Sequence, residues 1–224
     1  MPETLFLAVN IIDCILSAHV VSLAKLPLVG ITSLFIASKV KEIVSPPIVC
    51  FLNCTTASYT RDVMLQAEWY VLKMLKWNLS YANPIYFLQR VSRADDHDVK
   101  ARTIAQYLIE ILCLEWRLPS APPSLLAAAT IWLACLILNN ETWVCHFMSF
   151  IMCYYLLCIQ QTPNLVHHSS YDKSQLVPTA NIMLNYVLKP TKHESFYQKY
   201  ADKKYFKVCL LITSAWLATH NPVL

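Results

Sequence analysis

The chain has 224 residues, of which 56% are hydrophobic and 14% charged, and a formal net charge of +4. This length is enough for one large domain or two small ones. Its single glycine excludes phosphate-binding loops, dinucleotide-binding turns and nucleophile elbows, which need several glycines close together. The positive charge is mild and unclustered, so it does not favour nucleic-acid binding.

The first third of the chain is predicted to be a helical bundle around one apolar helix, Ser22–Ile43. Apolar residues fall on every side of its helical wheel, which indicates a helix surrounded by other helices. Its uncharged part, Leu26–Ser38, is shorter than the roughly 20 residues that span a bilayer. A helix over Pro2–Ser17 precedes it, and a short helix and a long helix capped by Thr60 follow. The expected inner faces are Leu5, Val9, Ile12 and Leu16 in the first helix, and Val63, Ala67, Val71 and Leu75 in the long one.

The rest of the chain repeats this plan. Asn83 and Pro84 are typical of a helix start, and Asp172 with Gln175 resembles a capping box. A second apolar helix, Leu125–Leu138, matches the first. An internal repeat of helical blocks predicts an all-α fold of two tandem units. The remaining helices are expected at 84–94, 98–114, 172–188 and 194–218.

Three groups of residues have the chemistry of metal ligands: Asp95, Asp96 and Asp98; His167 and His168; Cys50 and Cys54. The aspartates fall in a hydrophilic break between helices, which favours a solvated loop. Adjacent histidines cannot lie on one helical face, and the two cysteines have no partnering ligand nearby. We therefore predict that the protein binds no metal and no other cofactor and that it is not an enzyme. The nine cysteines contain no C-x-x-C pair and are expected to be buried, reduced thiols of a cytosolic or nuclear protein.

Two charges stand out against their apolar surroundings. Lys39 ends the first apolar helix, and Glu68 interrupts an apolar and aromatic run in the long helix. Physical chemistry alone favours a surface lysine that complements the helix dipole and a surface acid.

Four segments carry a resemblance to a known family: PETLFLAVNIIDCIL, SLAKLPLVGITSLFIASKVKEI, YTRDVMLQAEWYVLKMLKWNLSYANPIYFL and KPTKHESFYQKYADKKY. In order and spacing they resemble B-type, G2/mitotic cyclins of a fungal kind. The resemblance implies two tandem cyclin-fold bundles, at 1–82 and 83–224. It also implies a regulatory subunit of nucleus and cytoplasm, without enzymatic activity, that binds and activates a cyclin-dependent Ser/Thr kinase at G2/M.

In that family, the lysine of an A-S-K motif and the acid of an A-E motif contact the kinase, and they match Lys39 and Glu68. The two charges are expected to lie together and face outward. The implied partners are the kinase, in a heterodimer, and protein substrates reached through it, without nucleic acid or membrane. Further positions that match kinase contacts are Val40, Glu42, Leu72, Trp77 and Leu79.

Several departures from the family pattern carry expectations of their own. The chain begins inside the second helix of the first cyclin fold, so that fold is expected to lack its opening helix, to expose apolar surface and to be unstable. A Leu-Gln pair of the family's substrate-docking groove is replaced by Leu26 and Pro27. Because proline lacks an N–H, we expect a disturbed helix start and weakened docking of Arg-x-Leu substrates.

The segment Val144–Gln161 has no counterpart in the family. A translated intron is the preferred interpretation, and an extra packed helix and a membrane anchor are the alternatives. Other interpretations of the whole chain are a cyclin-fold scaffold that binds another partner, a non-functional fragment or gene-model artefact, and a small helical membrane protein.

Overall fold

The computed structural model describes residues 1–55, 59–93, 99–115, 121–139, 167, 169–187 and 194–208. The chain divides into two compact units, Met1–Asn83 and Pro84–Leu224. Every regular element within the described ranges is a helix, in agreement with the predicted all-α fold. The predictions for Asp95, Asp96, Asp98, His168 and the segment 144–161 lie outside the described residues.

The first unit is organised around one central helix. Its elements are α1 (Pro2–Ala18), a 3₁₀ turn (Leu23–Lys25), α2 (Leu26–Lys41), α3 (Ile48–Leu52) and α4 (Arg61–Met74). Helix α2 packs against α1, α3 and α4. The apolar helix is therefore central to the bundle, as the sequence predicts.

Burial of α2 is confined to its C-terminal half. Its buried residues all lie between Thr32 and Ser38, whereas Leu23 and Leu26 are 86% and 38% exposed. The prediction of a buried helix is confirmed for the second half only, and the first half carries exposed apolar side chains, in agreement with the exposed apolar surface expected of this unit. Apolar residues on all sides show that a helix can be buried, but only its neighbours decide how much of it is covered.

Together with the preceding 3₁₀ turn, α2 forms a run of 19 residues, Leu23–Lys41, that is long and apolar enough to cross a membrane. This finding concerns length and composition only, and the core helix of a soluble protein meets the same criteria. All residues from Thr32 to Ser38 except Leu34 are buried, as in such a core helix. Length alone therefore does not separate the two cases.

The predicted inner face of α1 is wrong: the buried face is shifted by one position, and none of Leu5, Val9, Ile12 and Leu16 is buried. The buried side chains include Thr4, Leu7, Ile11 and Ile15, and the predicted inner residue Leu16 is 44% exposed. Helix α1 carries apolar residues on two adjacent stripes, so periodicity alone could not choose between them. Contact with α2 selects the stripe.

Helix α4 confirms its predicted start but only part of its predicted inner face. The Val63 amide donates a hydrogen bond to Thr60 Oγ1 at 3.4 Å, which is the expected N-cap. Met64 and Val71 are buried, whereas Val63 is 39% exposed. Val71 is thus confirmed as an inner residue, and Met64 takes the place predicted for Val63.

The second unit repeats the arrangement of the first. Its helices are α5 (Pro84–Ser92), α6 (Val99–Leu112), α7 (Pro123–Asn139), α8 (Lys173–Val187) and α9 (Glu194–Ala201), followed by a 3₁₀ turn (Lys203–Tyr205). Helix α7 packs against α5, α6 and α8, and residues 127–134 are all buried. The second apolar helix is therefore also a central one, as predicted.

Local signals mark the helix starts of this unit. Pro84 begins α5. The Asp172 amide donates to Gln175 Oε1 at 3.0 Å, which is one of the two bonds of the predicted capping box. These signals work because the first amides of a helix need acceptors from side chains close in sequence.

Candidate functional site

The two charges singled out in the sequence form an ion pair. Lys39 lies in the last turn of α2 and Glu68 in the middle of α4. The Lys39 Nζ donates to Glu68 Oε1 at 2.7 Å, and the side chains are 43% and 14% exposed. The structure thus brings together two residues 29 positions apart at the surface of the first unit.

Two phenylalanines lie beneath the ammonium group. The Lys39 Nζ is 3.9 Å from the centroid of the Phe35 ring. That ring meets Phe51 of α3 edge-on, with 5.2 Å between centroids. An ammonium over an aromatic face gains about 0.5–1 kcal/mol at an exposed site. Three helices therefore position the charge, since α2 carries it, α4 supplies the carboxylate and α3 supports the ring.

The ion pair keeps hydrogen-bonding capacity toward other molecules. An ammonium has three N–H donors and a carboxylate has two acceptor oxygens. The bond between Lys39 and Glu68 uses one donor and one oxygen. The pair can therefore donate to a carbonyl and accept from an N–H of another molecule without breaking its own contact.

Apolar side chains are exposed next to both charges. Val40 follows Lys39 and is 48% exposed, and Trp69 follows Glu68 and is 57% exposed. Trp77, in the turn after α4, is 65% exposed. Exposed apolar and aromatic side chains with a few charges among them are typical of protein–protein contact surfaces. Sequence reasoning missed Phe35, Phe51 and Trp69, although the spacing of Phe35 and Lys39 by one helical turn is a signal that could have found the ring.

Leu72 and Leu79 lie differently from Val40 and Trp77. Both are partly buried and pack against a core cluster that includes Leu7 and Ile11 of α1. Their side chains are shared between the core of the unit and its surface. Of the predicted contact residues, these two are the least exposed apolar ones.

Glu42 is engaged within the chain. The Thr4 hydroxyl donates to Glu42 Oε1 at 2.8 Å, and the Met1 amino group lies 3.3 Å from the same oxygen. The Thr4 hydrogen bond, as the main cause, lowers the pKa of Glu42 below its ordinary value. Glu42 thus ties the start of α1 to the end of α2, close to Lys39 in sequence.

Leu26 and Pro27 form the first turn of α2. Leu26 is 38% exposed, and the proline occupies one of the first two helical positions. The expectation that Pro27 disturbs the helix start is wrong. The first amides of a helix have no intrahelical acceptor, so a proline there loses no hydrogen bond, and its fixed φ suits the helix.

The prediction of buried thiols is wrong for the described cysteines. Cys14, Cys50 and Cys54 are exposed, and Cys113 and Cys135 are partly exposed. Helix α3 is only five residues long and buries Phe51 alone, which leaves Cys50 outside the core. Among the described residues, no group of three or more His, Cys, Asp or Glu side chains could hold a metal ion.

The turn after α4 has a left-handed backbone. Lys76 and Trp77 have φ values of 52° and 61°, and the Trp77 amide donates to the Leu72 carbonyl at 2.9 Å. Left-handed backbone costs roughly 1–2 kcal/mol for residues with a Cβ. This turn sets the direction in which Trp77 leaves the end of α4.

We expect Lys76→Gly to raise the free energy of unfolding by about 0.5–1 kcal/mol. Glycine removes the left-handed penalty, and its greater freedom in the unfolded chain offsets only part of that gain. Urea unfolding of the 224-residue chain measures the change. Lys76→Ala is the control, because it shortens the side chain but keeps the Cβ; an equal gain for alanine would show that the turn is not strained.

Two family models match the chain, one in each half. Residues 1–80 match the family described as "Cyclin, N-terminal domain", and residues 82–214 match "Cyclin, C-terminal domain". The chain belongs to the cyclin family. The cyclin fold inferred from the motifs is thereby confirmed.

Three fungal cyclins are similar to the chain over most of its length. The chain is 44% identical over 221 residues to the G2/mitotic-specific cyclin cdc13 of Schizosaccharomyces pombe. The aligned region covers 99% of this chain and 42% of that protein. It is 38% identical over 221 residues to G2/mitotic-specific cyclin-B of Emericella nidulans, with the same coverage. It is 37% identical over 212 residues to G2/mitotic-specific cyclin-2 of Saccharomyces cerevisiae, which covers 94% of this chain and 40% of that protein. The chain thus spans about two-fifths of these cyclins, and the resemblance to fungal B-type cyclins is confirmed.

Proposed function

We propose that this cyclin is a regulatory subunit that binds a cyclin-dependent Ser/Thr kinase and activates it at G2/M, in nucleus and cytoplasm. The observation that carries the proposal is the Lys39–Glu68 ion pair at 2.7 Å, placed on an exposed apolar surface. The names of the similar cyclins, all G2/mitotic-specific, support the cell-cycle stage.

In the proposed complex, the ion pair orients an element of the kinase. A kinase is active only when its catalytic lysine pairs with a glutamate on helix C, and the position of that helix is a point of control. Lys39 would donate to backbone carbonyls at a helix end of the partner, where carbonyls lack intrahelical donors. Glu68 would accept hydrogen bonds from nearby N–H groups of the kinase. The cyclin's own residues would carry out no chemical step.

The apolar side chains would supply most of the contact area. Val40 and Trp77 are exposed by about half or more, and aromatic side chains of this kind are frequent anchors of interfaces. A permanent complex buries roughly 2,000 Å² or more, so α4 and the turn after it would contribute along with the end of α2. Leu72 and Leu79 would line the edge of the contact.

We expect the double charge swap Lys39→Glu with Glu68→Lys to weaken kinase binding at least about tenfold. The swap keeps an ion pair between α2 and α4 but turns an acceptor toward the partner's carbonyls and a donor toward its N–H groups, and each buried polar group left unpaired costs about 1–3 kcal/mol. Binding of the purified kinase to the 224-residue chain, by co-precipitation and calorimetry, measures the effect.

The control is Lys25→Glu, a charge reversal on the 3₁₀ turn at the opposite end of α2, which should bind as the parent chain does. Thermal melting shows whether the swapped chain remains folded. A folded swap variant that binds the kinase undiminished would contradict the proposed function.

A further inference from the structure

The second unit contains a buried charge that the proposed function does not use. Glu110 of α6 is fully buried, at 0% exposure. Its Oε2 accepts a hydrogen bond from Lys199 Nζ of α9 at 2.6 Å, and its Oε1 accepts one from Gln106 Nε2 at 3.1 Å. Among the described residues, Lys199 is the cation that forms a salt bridge with this carboxylate.

Aromatic rings enclose the same lysine. Its Nζ lies 5.1 Å from the ring centroid of Tyr200 and 5.9 Å from that of Tyr205. The Tyr200 ring is fully buried and meets Tyr107 of α6 edge-on at 4.9 Å. Ring faces attract a nearby cation, and the contacts attach α9 to α6 through one ion pair and one edge-to-face pair of rings.

The side chain of Lys199 is nevertheless 37% exposed, so part of it reaches solvent although its partner Glu110 is inaccessible. A buried carboxylate deprived of its cation is strongly destabilising, because its charge has lost both water and counter-charge. Loss of the positive charge on Lys199 would therefore weaken the attachment of α9 to α6.

We propose that Lys199 is an acylation site, and that its acylation releases α9 and the following 3₁₀ turn from α6. The donor is an acyl-coenzyme A thioester. The deprotonated Nζ attacks the thioester carbonyl, an amide N–C bond forms, the C–S bond breaks, and coenzyme A leaves as the thiol while the ammonium's other proton goes to solvent. The product is neutral and cannot pair with the Glu110 carboxylate.

The test uses the full chain with acetyl-lysine installed at position 199, and a matched chain with acetyl-lysine at Lys203. Lys203 is exposed and lies in the 3₁₀ turn, outside the Glu110 contact. Hydrogen exchange in Glu194–Val208 should become about tenfold faster or more for the chain modified at 199 and should not change for the control.

Three variants of the full chain separate the effect of the lysine's charge on hydrogen exchange from the effect of its side-chain size. Lys199→Arg should keep slow exchange, and Lys199→Gln should lose it. Adding Glu110→Gln to Lys199→Gln should restore slow exchange in part, since no charge is then buried.

In a separate incubation of the parent chain with acetyl-coenzyme A, mass spectrometry should find acetyl groups on Lys199.

Unchanged exchange after acetylation at 199, equal effects at 199 and 203, or a Lys199 that stays unmodified once Lys203 is fully acetylated would each overturn the proposal. None of these measurements involves kinase binding, so their failure would leave the proposed function standing.

Discussion

Phe35→Ala is expected to lower the free energy of unfolding by about 3–5 kcal/mol and to weaken kinase binding in the same chain. Phe35 is 5% exposed and packs edge-on against Phe51, so truncation leaves a cavity between α2 and α3. It also removes the ring 3.9 Å from the Lys39 ammonium. Urea unfolding and calorimetric kinase binding measure the two effects.

Two control variants separate packing from positioning. Phe35→Leu fills most of the cavity but offers no aromatic face, so it should recover much of the stability and little of the binding. Phe51→Ala damages the same core but leaves the ring under Lys39, so it should show the opposite pattern. If both controls lost stability and binding in proportion, the ring would have no role in placing the ammonium.

Trp132→Ala should lower the free energy of unfolding of the second unit by about 3–5 kcal/mol. Trp132 of α7 is 2% exposed and is the largest of the fully buried side chains among the described residues. It stands on the central helix, so the cavity would open between α7 and the helices around it.

Trp132→Phe should cost much less than Trp132→Ala. The indole N–H of Trp132 finds no acceptor within the described part of the chain, and an unpaired buried donor carries a desolvation penalty of about 1–3 kcal/mol. Phenylalanine removes that donor while it retains most of the apolar contacts. Urea unfolding of the parent chain and the two variants measures the difference. A phenylalanine variant as unstable as the alanine variant would contradict the prediction.

Much of the helical fold could be predicted from sequence, and the candidate site only in part. The motifs pointed to Lys39 and Glu68, but they did not show that the two bond to each other at 2.7 Å. The support from Phe35 and Phe51 was missed because those residues lie on different helices, 5.2 Å apart at their ring centroids. The place of Glu42 was also unforeseen, since its partner Thr4 lies 38 positions away.

The sequence by itself determined the starts of α4, α5 and α8 and which two helices are central. Thr60 and Gln175 accept from amides three residues away, Pro84 has no N–H that would need an acceptor, and an apolar helix is recognisable without knowledge of its neighbours. Tertiary structure alone decided which stripe of α1 is buried, which half of α2 is covered, and that none of the cysteines the structure describes is fully buried. It also decided the direct bond between Lys39 and Glu68, whose proximity the motifs had predicted, and the pairing of Lys199 with Glu110, 89 positions apart. The physical reason is that capping and helical periodicity are local, whereas burial and ion pairing depend on which surfaces meet after the chain has folded.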